Sequence, residues 1–193
     1  MPTPAKTSLT ELVAIARRLV ETTGAEGLTL SAVAKSAGVK APSLYKHFAD
    51  RLALLKAVEI VVLGELEAEL RSGTTGRTPH QRLRSMAATY RSFAVQQPQR
   101  YEVIYSRNAA DDPEIAAACL HAARPLFEEL ERAGLPADRV LPVSRTLTAF
   151  LHGFVSMEIV NAFRLGGDLD EAFDQGLETL LREVPDGVQA AVG

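Results

Sequence analysis

The chain has 193 residues, of which 47% are hydrophobic and 23% are charged. This length and apolar content are sufficient for a compact body with a substantial core, so they exclude a chain that is disordered throughout. One cysteine, Cys119, excludes an internal disulfide and a thiolate cluster for a structural metal. The longest uncharged apolar-rich run, residues 146–157, is too short to span a bilayer, and the first residues lack the apolar stretch of a signal peptide. We therefore expect a cytoplasmic protein without membrane contact, metal or cofactor.

The charges are distributed unevenly along the chain. Residues 1–51 hold seven basic and four acidic side chains, a net charge of +3, whereas the remainder holds 14 basic and 20 acidic side chains, a net charge of −6. A basic front on an acidic body is typical of a phosphate-binding module that is joined to a soluble partner domain. The asymmetry is modest, so it supports this interpretation only together with a motif.

Apolar residues recur at steps of three and four, and no stretch alternates with the period of two that a half-buried strand requires. The sequence therefore predicts an all-α protein of about nine helices. Glycines, prolines and polar capping residues set their limits. The first predicted helix begins at residue 8 and ends at the glycines at 24 and 27; the second covers 29–37, and a short third begins at 42. The others cover 51–70, 80–97, 101–106, 113–133 with a kink near 125, 140–165 and 169–184. Loops are predicted at 71–79, which is a boundary, and at 108–112.

The stretch from Leu28 to Leu55 is the most informative part of the sequence. Gly38 supplies the positive φ that a sharp turn between two helices requires, and Pro42 stands in the first turn of the second helix, where its missing N–H costs little. This is the pattern of a helix-turn-helix that reads DNA, although a glycine corner also occurs as a plain structural element. The side chains placed to contact base edges or phosphates are Thr29, Lys40, Ser43, Tyr45, Lys46, His47 and Arg51.

Two segments resemble a known family. Residues 29–34 and the segment AGVKAPSLYKHFADRLALL at 37–55 resemble the N-terminal signature of the TetR (tetracycline-repressor) family of transcriptional regulators, and LHGF at 151–154 resembles a His-Gly signature in one subgroup of its ligand-binding domains. The resemblance implies a homodimer that binds palindromic operator DNA, most often as a repressor, and releases it when a small molecule binds the C-terminal domain.

The resemblance also implies roles for individual residues. Positions that the family uses at DNA are occupied here by Pro42, Ser43, Tyr45, His47 and Arg51. Lys40 and Ala41 depart from the family pattern where sequence preference is decided, so the operator sequence is not predicted. We expect a three-helix DNA-binding domain at residues 1–51 and a ligand-binding and dimerisation domain at residues 52–193.

Aromatic and methionine side chains in the second domain indicate a pocket for a mostly apolar small molecule, although each of them could equally be plain core. The candidates are Met86, Tyr90, Phe93, Tyr101, Tyr105, Phe127, Phe150, Phe154, Met157 and Asn161. A ligand bound there is expected to displace the helix that begins at Arg51, and with it the DNA-binding module.

The helix predicted at 140–165 carries more apolar surface than one face can hold, so we expect burial on two sides. Gly153 within it and Gly176 in the last helix indicate close helix approach. We predict that these two helices pair with their copies in a four-helix dimer interface. Its candidate residues are Phe150, Gly153, Val160, Phe173, Gly176 and Leu180.

Two other function classes were weighed. An enzyme is disfavoured because the sequence contains no GxSxG, HExxH, P-loop or GxGxxG motif, and Cys119 has no adjacent base. A helical adaptor whose helix-turn-helix contacts protein stays open as the alternative. Salt dependence separates this adaptor from a DNA-binding protein, since phosphate contacts weaken steeply as salt rises.

Overall fold

A computed structural model describes residues 8–106 and 111–186 of the chain. Within these residues every regular element is an α-helix, which confirms the predicted all-α class and the count of nine helices. None of the described helices has the length and apolar character that a membrane span requires. The helices are α1 (Leu9–Gly27), α2 (Leu30–Ser36), α3 (Ala41–Leu44), α4 (Arg51–Gly73), α5 (Pro79–Gln96), α6 (Pro98–Val103), α7 (Pro113–Arg132), α8 (Ala137–Ile159) and α9 (Leu169–Leu181).

The chain divides into two compact units. Of the described residues, the first unit holds 8–65, 97–106 and 111–119, and the second holds 66–96 and 120–186, so α4 contributes residues to both. The predicted boundary after residue 51 does not coincide with this division, because α6 packs against α1 and thereby joins the first unit. The assignment of residues 1–51 to DNA binding and of residues 52–193 to ligand binding and dimerisation stays a prediction.

In the first unit, α1 begins with a reciprocal cap. The hydroxyl of Ser8 accepts a hydrogen bond from the backbone N–H of Glu11 at 3.2 Å, and the carboxylate of Glu11 accepts one from the N–H of Ser8 at 2.7 Å. Near its other end, Gly24 adopts a φ of 68°, which breaks the helix where the sequence predicted an end. Between these limits the buried face of α1 presents Leu12, Val13, Ala16 and Val20 to the core.

A shared carboxylate connects three helices of the first unit. The side chain of Glu65 on α4 lies 2.8 Å from Nε of Arg17 on α1 and 3.5 Å from Nη1 of Arg100 on α6. Partial burial is the largest single influence on the pKa of Arg17 and lowers it, but the interactions with Glu65 and Glu21 together outweigh burial and raise that pKa. The three side chains therefore form an ionic network across α1, α4 and α6.

A second ion-pair cluster in this unit joins α4 to the start of α7. The ammonium of Lys56 lies 2.9 Å from Asp112 and 2.6 Å from Glu114. Hydrogen bonds to these carboxylates raise the pKa of Lys56, and the bond from Lys56 lowers the pKa of Asp112. Lys56 and Asp112 therefore both remain charged at neutral pH.

In the second unit, α8 and α9 pack through an aromatic cluster. The ring of Phe173 stacks on Phe150 at 5.7 Å between centroids and meets the edge of Phe154 at 5.1 Å. The guanidinium of Arg91 on α5 lies 5.0 Å from the ring centroid of Phe173, and Phe163 lies 4.9 Å from Phe154. This cluster forms much of the contact between α8, α9 and the segment that joins them.

Several helix limits differ from the predicted ones. The last predicted turn of α8 is wrong: the helix ends at Ile159, and Asn161 adopts a φ of 52°, which reverses the chain before Phe163. The apolar pattern continues to Leu165 because Phe163 returns to pack on Phe154, so periodicity alone overextended the helix. Helix α4 continues past Leu70 to Gly73, and α7 runs through Pro125 as one helix. The loop predicted at 108–112 lies mostly outside the described residues.

Candidate nucleic-acid interface

The corner between α2 and α3 has the predicted turn geometry. Gly38 adopts a φ of 67°, and the N–H of Val39 donates to the carbonyl of Ala34 at 3.0 Å, which ends α2. On the inner side, Leu44 and Phe48 are both buried, at 0% and 4% exposure. Two buried side chains four positions apart therefore fix α3 and the turn after it to the core, as the spacing predicted.

The opposite side of this corner is polar and open to solvent. Its exposed residues, which we call the corner surface, are Lys40, Pro42, Ser43, Tyr45, Lys46 and His47. Tyr45 is 60% exposed, so its ring is not part of the core. A tyrosine of that exposure between basic side chains is typical of a surface that meets a polyanion.

One local prediction for the corner surface is corrected. Helix α3 ends at Leu44, so Tyr45, Lys46 and His47 follow the helix and do not lie within it. They form a turn in which the N–H groups of His47 and Phe48 both donate to the carbonyl of Leu44 at 2.9 Å. The carbonyl of Leu44, the last helical residue, is thus used by the turn that brings Phe48 into the core.

Thr29 lies at the N-terminus of α2. Its hydroxyl oxygen accepts a hydrogen bond from the N–H of Ala32 at 3.1 Å, which caps the helix as predicted. A hydroxyl that accepts one bond keeps its own hydrogen for donation. Thr29 is exposed, so this hydrogen can reach an external acceptor such as a phosphate oxygen.

Arg51 is half-buried and bonds to the backbone of the first unit. Its Nε donates to the carbonyl of Leu28 at 2.8 Å, and its Nη2 donates to the carbonyl of Ala25 at 2.6 Å. These bonds use two of the five N–H donors of the guanidinium and connect the α1–α2 turn to the start of α4. Next to it, Asp50 accepts from the N–H of Ala53 at 2.8 Å, which confirms its predicted cap of α4.

The predicted effector residues fall into both compact units. In the first unit, Tyr101 is buried and Tyr105 is exposed, with ring centroids 5.4 Å apart. In the second unit, Met86, Tyr90 and Phe93 are buried in α5, while Phe127 of α7 is half-buried. Apart from the exposed Tyr105, these side chains therefore occupy positions that ordinary core residues would also occupy.

Four further effector candidates lie on or after α8. Phe150 and Phe154 are half-buried and 5.9 Å apart within the aromatic cluster. Met157 is 44% exposed, and Asn161 is exposed beyond the end of the helix. The structure therefore brings Phe150 and Phe154 together, while Met157 and Asn161 face solvent within the described chain.

The sequence interpretation missed Arg91, which is central to this region. Hydrogen bonds from Arg91 to Glu158, 2.7 and 2.8 Å long, outweigh partial burial and raise the pKa of Arg91, with a further contribution from Asp170. The guanidinium is thus fixed beneath the rings of Phe154 and Phe173. Its partners lie far away in the sequence, so no local pattern could have indicated the contact.

The predicted dimer residues differ in exposure. Phe173 is 3% exposed within the chain, so a single chain presents almost none of it at the surface, and its place in the interface stays a prediction. A Cβ added to Gly176 would lie 2.6 Å from the ring of Phe150, so the close approach predicted there occurs between α9 and α8 of the same chain. A Cβ added to Gly153 would meet no atom from outside its own turn of helix within 4 Å, and Val160 is 66% exposed. Leu180 is half-buried beside a cavity of about 170 Å³ that it lines with Val143 and Leu147.

No group of three His, Cys, Asp or Glu side chains in residues 8–106 and 111–186 has the arrangement of a metal site. His152, which the sequence placed in a His-Gly signature, has a lowered pKa because it is partly buried. Its Nδ1 lies 3.4 Å from the hydroxyl of Ser156. In the described part of the chain, the corner surface is therefore the candidate site with the clearest chemical character.

Comparison with known proteins adds sequence and fold relationships. The family model described as "Bacterial regulatory proteins, tetR family" matches residues 12–58, and "Tetracyclin repressor-like, C-terminal domain" matches residues 83–180. The uncharacterised HTH-type transcriptional regulator Rv0681 of Mycobacterium tuberculosis is 34% identical over 157 residues, which cover 81% of this chain and 72% of that protein.

Two solved structures have a similar fold. A protein of unknown function from Rhodococcus sp. RHA1 has a TM-score of 0.79 at 23% identity, covering 96% of this chain and 100% of that one. A TetR variant from Acinetobacter baumannii AYE, in complex with minocycline, has a TM-score of 0.67 at 21% identity, covering 92% of this chain and 96% of that one. With family models matching both its helix-turn-helix region and its C-terminal region, the chain belongs to the TetR family of transcriptional regulators.

Proposed function

We propose that this protein is a ligand-responsive transcriptional repressor that binds a palindromic operator as a homodimer in the cytoplasm. The observation that carries the proposal is the corner surface, where exposed Lys40, Tyr45 and Lys46 lie opposite the buried anchors Leu44 and Phe48. Side chains that project from a rigidly anchored corner can enter a groove without losing the packing that positions them.

The proposed DNA contacts follow from position and donor type. Lys40 and Ser43 lie at the start of α3, so they are assigned to base edges or the adjacent phosphates. Tyr45, Lys46 and His47, in the turn after α3, are assigned to phosphates, and Thr29 adds a hydroxyl donor from the preceding helix. Pro42 contacts the sugar-phosphate backbone by shape. Arg51 acts at DNA chiefly by holding the α1–α2 turn, given its two carbonyl bonds.

The proposed dimer forms through α8 and α9. Gly153 and Val160 are exposed on or beside α8, and a Cβ added to Gly153 would enter open space, which leaves room for the approach of a second helix. A two-fold dimer would place two corner surfaces on successive major grooves, roughly 34 Å apart. This spacing is what makes a palindromic site the expected target.

The proposed effector is a small, mostly apolar molecule that binds the C-terminal domain. The minocycline complex of the Acinetobacter baumannii protein supports a ligand site in a chain of this fold. Here the aromatic side chains around Phe150 and Phe154, with Arg91 as a fixed cation, offer stacking surfaces. Because α4 contributes residues to both compact units and begins at Arg51, a ligand that shifts α4 would alter the corner surface and lower operator affinity.

The first experiment is selection of bound sequences from random double-stranded DNA by the full chain, followed by affinity measurements at several salt concentrations. We expect an inverted repeat, and a steep fall of log K with log salt. Lys46→Ala should reduce the salt slope by about two in the dimer, one phosphate contact per chain. Lys35→Ala, which removes an exposed lysine from α2, is the matched control and should leave the slope close to that of the wild type.

Two outcomes would contradict the proposal. Selection that recovers no repeated motif, together with affinity that is equal at low and moderate salt, would favour the adaptor whose corner contacts protein. A single asymmetric site would contradict the palindromic dimer while retaining DNA binding. Repression is tested separately, by the sign of the change in reporter expression when the selected site lies over a promoter.

A further inference from the structure

A charged groove in the second unit shares no residue with the corner surface and one residue with the effector candidates. It has a volume of about 250 Å³ and lies among the end of α4, the first half of α5 and the second half of α7. Arg71, Arg82 and Arg132 line it together with Glu128 and Glu129, and we call it the arginine groove. Of the effector candidates, Met86 alone reaches it.

The arginine groove is positive at its mouth and negative in its depth. The Arg132 and Arg71 side chains are 57% and 45% exposed, whereas the Glu129 side chain is 8% exposed. Glu129 is held by Arg132 and by Nε of Arg82, which lies 2.6 Å from its carboxylate. The buried carboxylate thus orients two guanidinium groups, and the more exposed of them faces solvent.

The carboxylate of Glu128, like that of Glu129, is shared between two arginines. Nη1 and Nη2 of Arg71 lie 2.7 and 3.2 Å from the oxygens of Glu128, and Nε of Arg124 lies 3.2 Å from the same group. The bond from Arg71 lowers the pKa of Glu128 to about 2, so this carboxylate stays ionised at neutral pH. Arg71 also pairs with Glu67, so four guanidinium groups (Arg71, Arg82, Arg124 and Arg132) meet three carboxylates (Glu67, Glu128 and Glu129), a net charge of +1.

The remaining donors and the floor define what the groove can accept. Each guanidinium has five N–H donors, and the bonds to Glu128 and Glu129 use only part of them. At the floor of the groove, Met86 and Pro125 contribute a small apolar patch beside the buried Glu129, in a lining that is otherwise mainly polar. A volume of about 250 Å³ lies below the roughly 300–1,000 Å³ of pockets for drug-sized ligands, so the groove suits a smaller molecule.

We propose that the arginine groove binds a small organic oxyanion, a carboxylate or phosphate monoester with a short aliphatic body. The oxyanion accepts hydrogen bonds from Arg71 and Arg132 at the mouth, and the aliphatic part lies over Met86 and Pro125. Charge-assisted bonds to guanidinium groups select the anion over a neutral molecule of the same shape. This site goes beyond the proposed apolar effector site and does not depend on DNA binding.

The test uses the full chain and matched pairs of probes. Hexanoate and hexyl phosphate present the two oxyanions, and hexanamide has the shape of hexanoate without its charge. Calorimetry should detect both anions, and hexanamide should bind at least about tenfold more weakly, as expected for loss of charge-assisted bonds. Inorganic phosphate separates the contribution of the oxyanion from that of the apolar floor.

Two substitutions with opposite expected signs exclude a merely structural effect. Arg132→Gln should weaken hexanoate binding about tenfold, whereas Glu128→Gln should strengthen it several-fold, because it removes a competing negative charge. Arg84→Gln is the matched control, since Arg84 is an exposed arginine that is paired with Glu178 outside the groove. Equal binding of hexanoate and hexanamide, no detectable binding of either anion, or the same loss in all three variants would overturn the proposal. Operator affinity is not part of this readout, so its failure would not count against the proposed repressor function.

Discussion

The guanidinium of Arg51 donates to the backbone carbonyl of Leu28, with 2.8 Å between Nε and the oxygen. A second bond to the carbonyl of Ala25 completes the attachment of the α1–α2 turn to α4. These carbonyls lie at the end of α1 and just after it; the carbonyl of Ala25 also accepts the N–H of Leu28 at 3.3 Å. Arg51 is therefore part of the structure that positions the corner surface.

The first prediction concerns Arg51→Gln. Because the variant loses both carbonyl bonds, the free energy of unfolding should fall by about 1–3 kcal/mol. The slope of log K against log salt for operator binding should stay at the wild-type value, since no phosphate contact is removed. Chemical denaturation and binding measured across salt concentrations check the two parts. A slope that is smaller by about two, with unchanged stability, would instead assign Arg51 to phosphates.

The second prediction concerns Tyr45→Ala. The side chain is 60% exposed, so the free energy of unfolding should change by less than about 0.5 kcal/mol. Operator binding should weaken by about 1–3 kcal/mol, because the hydroxyl and ring both leave the interface. Tyr105→Ala, which removes another exposed tyrosine of the first unit, is the control for nonspecific loss. Wild-type operator affinity in Tyr45→Ala would remove Tyr45 from the interface.

The third prediction compares the same change at two helical glycines. At Gly64 on α4 a Cβ meets no atom within 4 Å, so Gly64→Ala should stabilise the protein by about 0.5–1 kcal/mol through lower chain entropy. At Gly176 a Cβ would lie 2.6 Å from the ring of Phe150, so Gly176→Ala should destabilise it by about 1–3 kcal/mol. Thermal unfolding of both variants under identical conditions gives the comparison. Stabilisation by both would mean that the Phe150 ring moves freely.

The fourth prediction tests the dimer. Gly153→Arg places a long charged side chain on an open face of α8, where the chain itself offers no clash. If α8 pairs with its copy, this charge is buried without a partner, and light scattering should give the mass of one chain. Gly64→Arg makes the same change at another open helical glycine and should remain dimeric. A dimeric Gly153→Arg protein would place the interface elsewhere.

The fifth prediction concerns acid stability. The hydrogen bond from Arg71 lowers the pKa of Glu128 from 4.5 to about 2, so the folded chain binds the proton less readily than the unfolded chain. The stabilisation by this carboxylate is therefore fully present above pH 4.5 and is lost as the pH falls toward 2. Glu128→Gln should be less stable than the wild type at neutral pH, and the difference should shrink across that interval. Melting temperatures of both proteins from pH 7 downward check the sign, and a difference that grows toward low pH would contradict it.

Much of the fold was predictable because its signals are local. The turn at Gly38, the caps at Thr29 and Asp50, and the anchoring pair Leu44 and Phe48 each depend on spacings of a few residues. Local sequence encodes such features directly, through backbone sterics and helical period. The composition of the corner surface was therefore accessible before any coordinates.

The remaining features depend on contacts between distant positions. The carbonyl bonds of Arg51, the packing of Arg91 beneath Phe154, and the sharing of Glu129 by Arg82 and Arg132 join helices that no motif connects. The end of α8 was misplaced for the same reason, because an apolar residue that folds back has the same hydropathy as one that continues a helix. Contacts between distant residues decide where such a helix ends, and the periodicity of the sequence carries no information about those contacts.

The packing of α6 on α1 has a consequence for how the chain is made. The first unit is interrupted in the sequence by residues 66–96, which belong to the second unit. Glu65 pairs with Arg17, which precedes this interruption, and with Arg100, which follows it. On a ribosome, the N-terminal helices therefore emerge well before α6, their packing partner, has been synthesised. A fragment cut after α4 would expose the apolar face of α1 that α6 covers, so the DNA-binding helices are expected to reach full stability only in the longer chain.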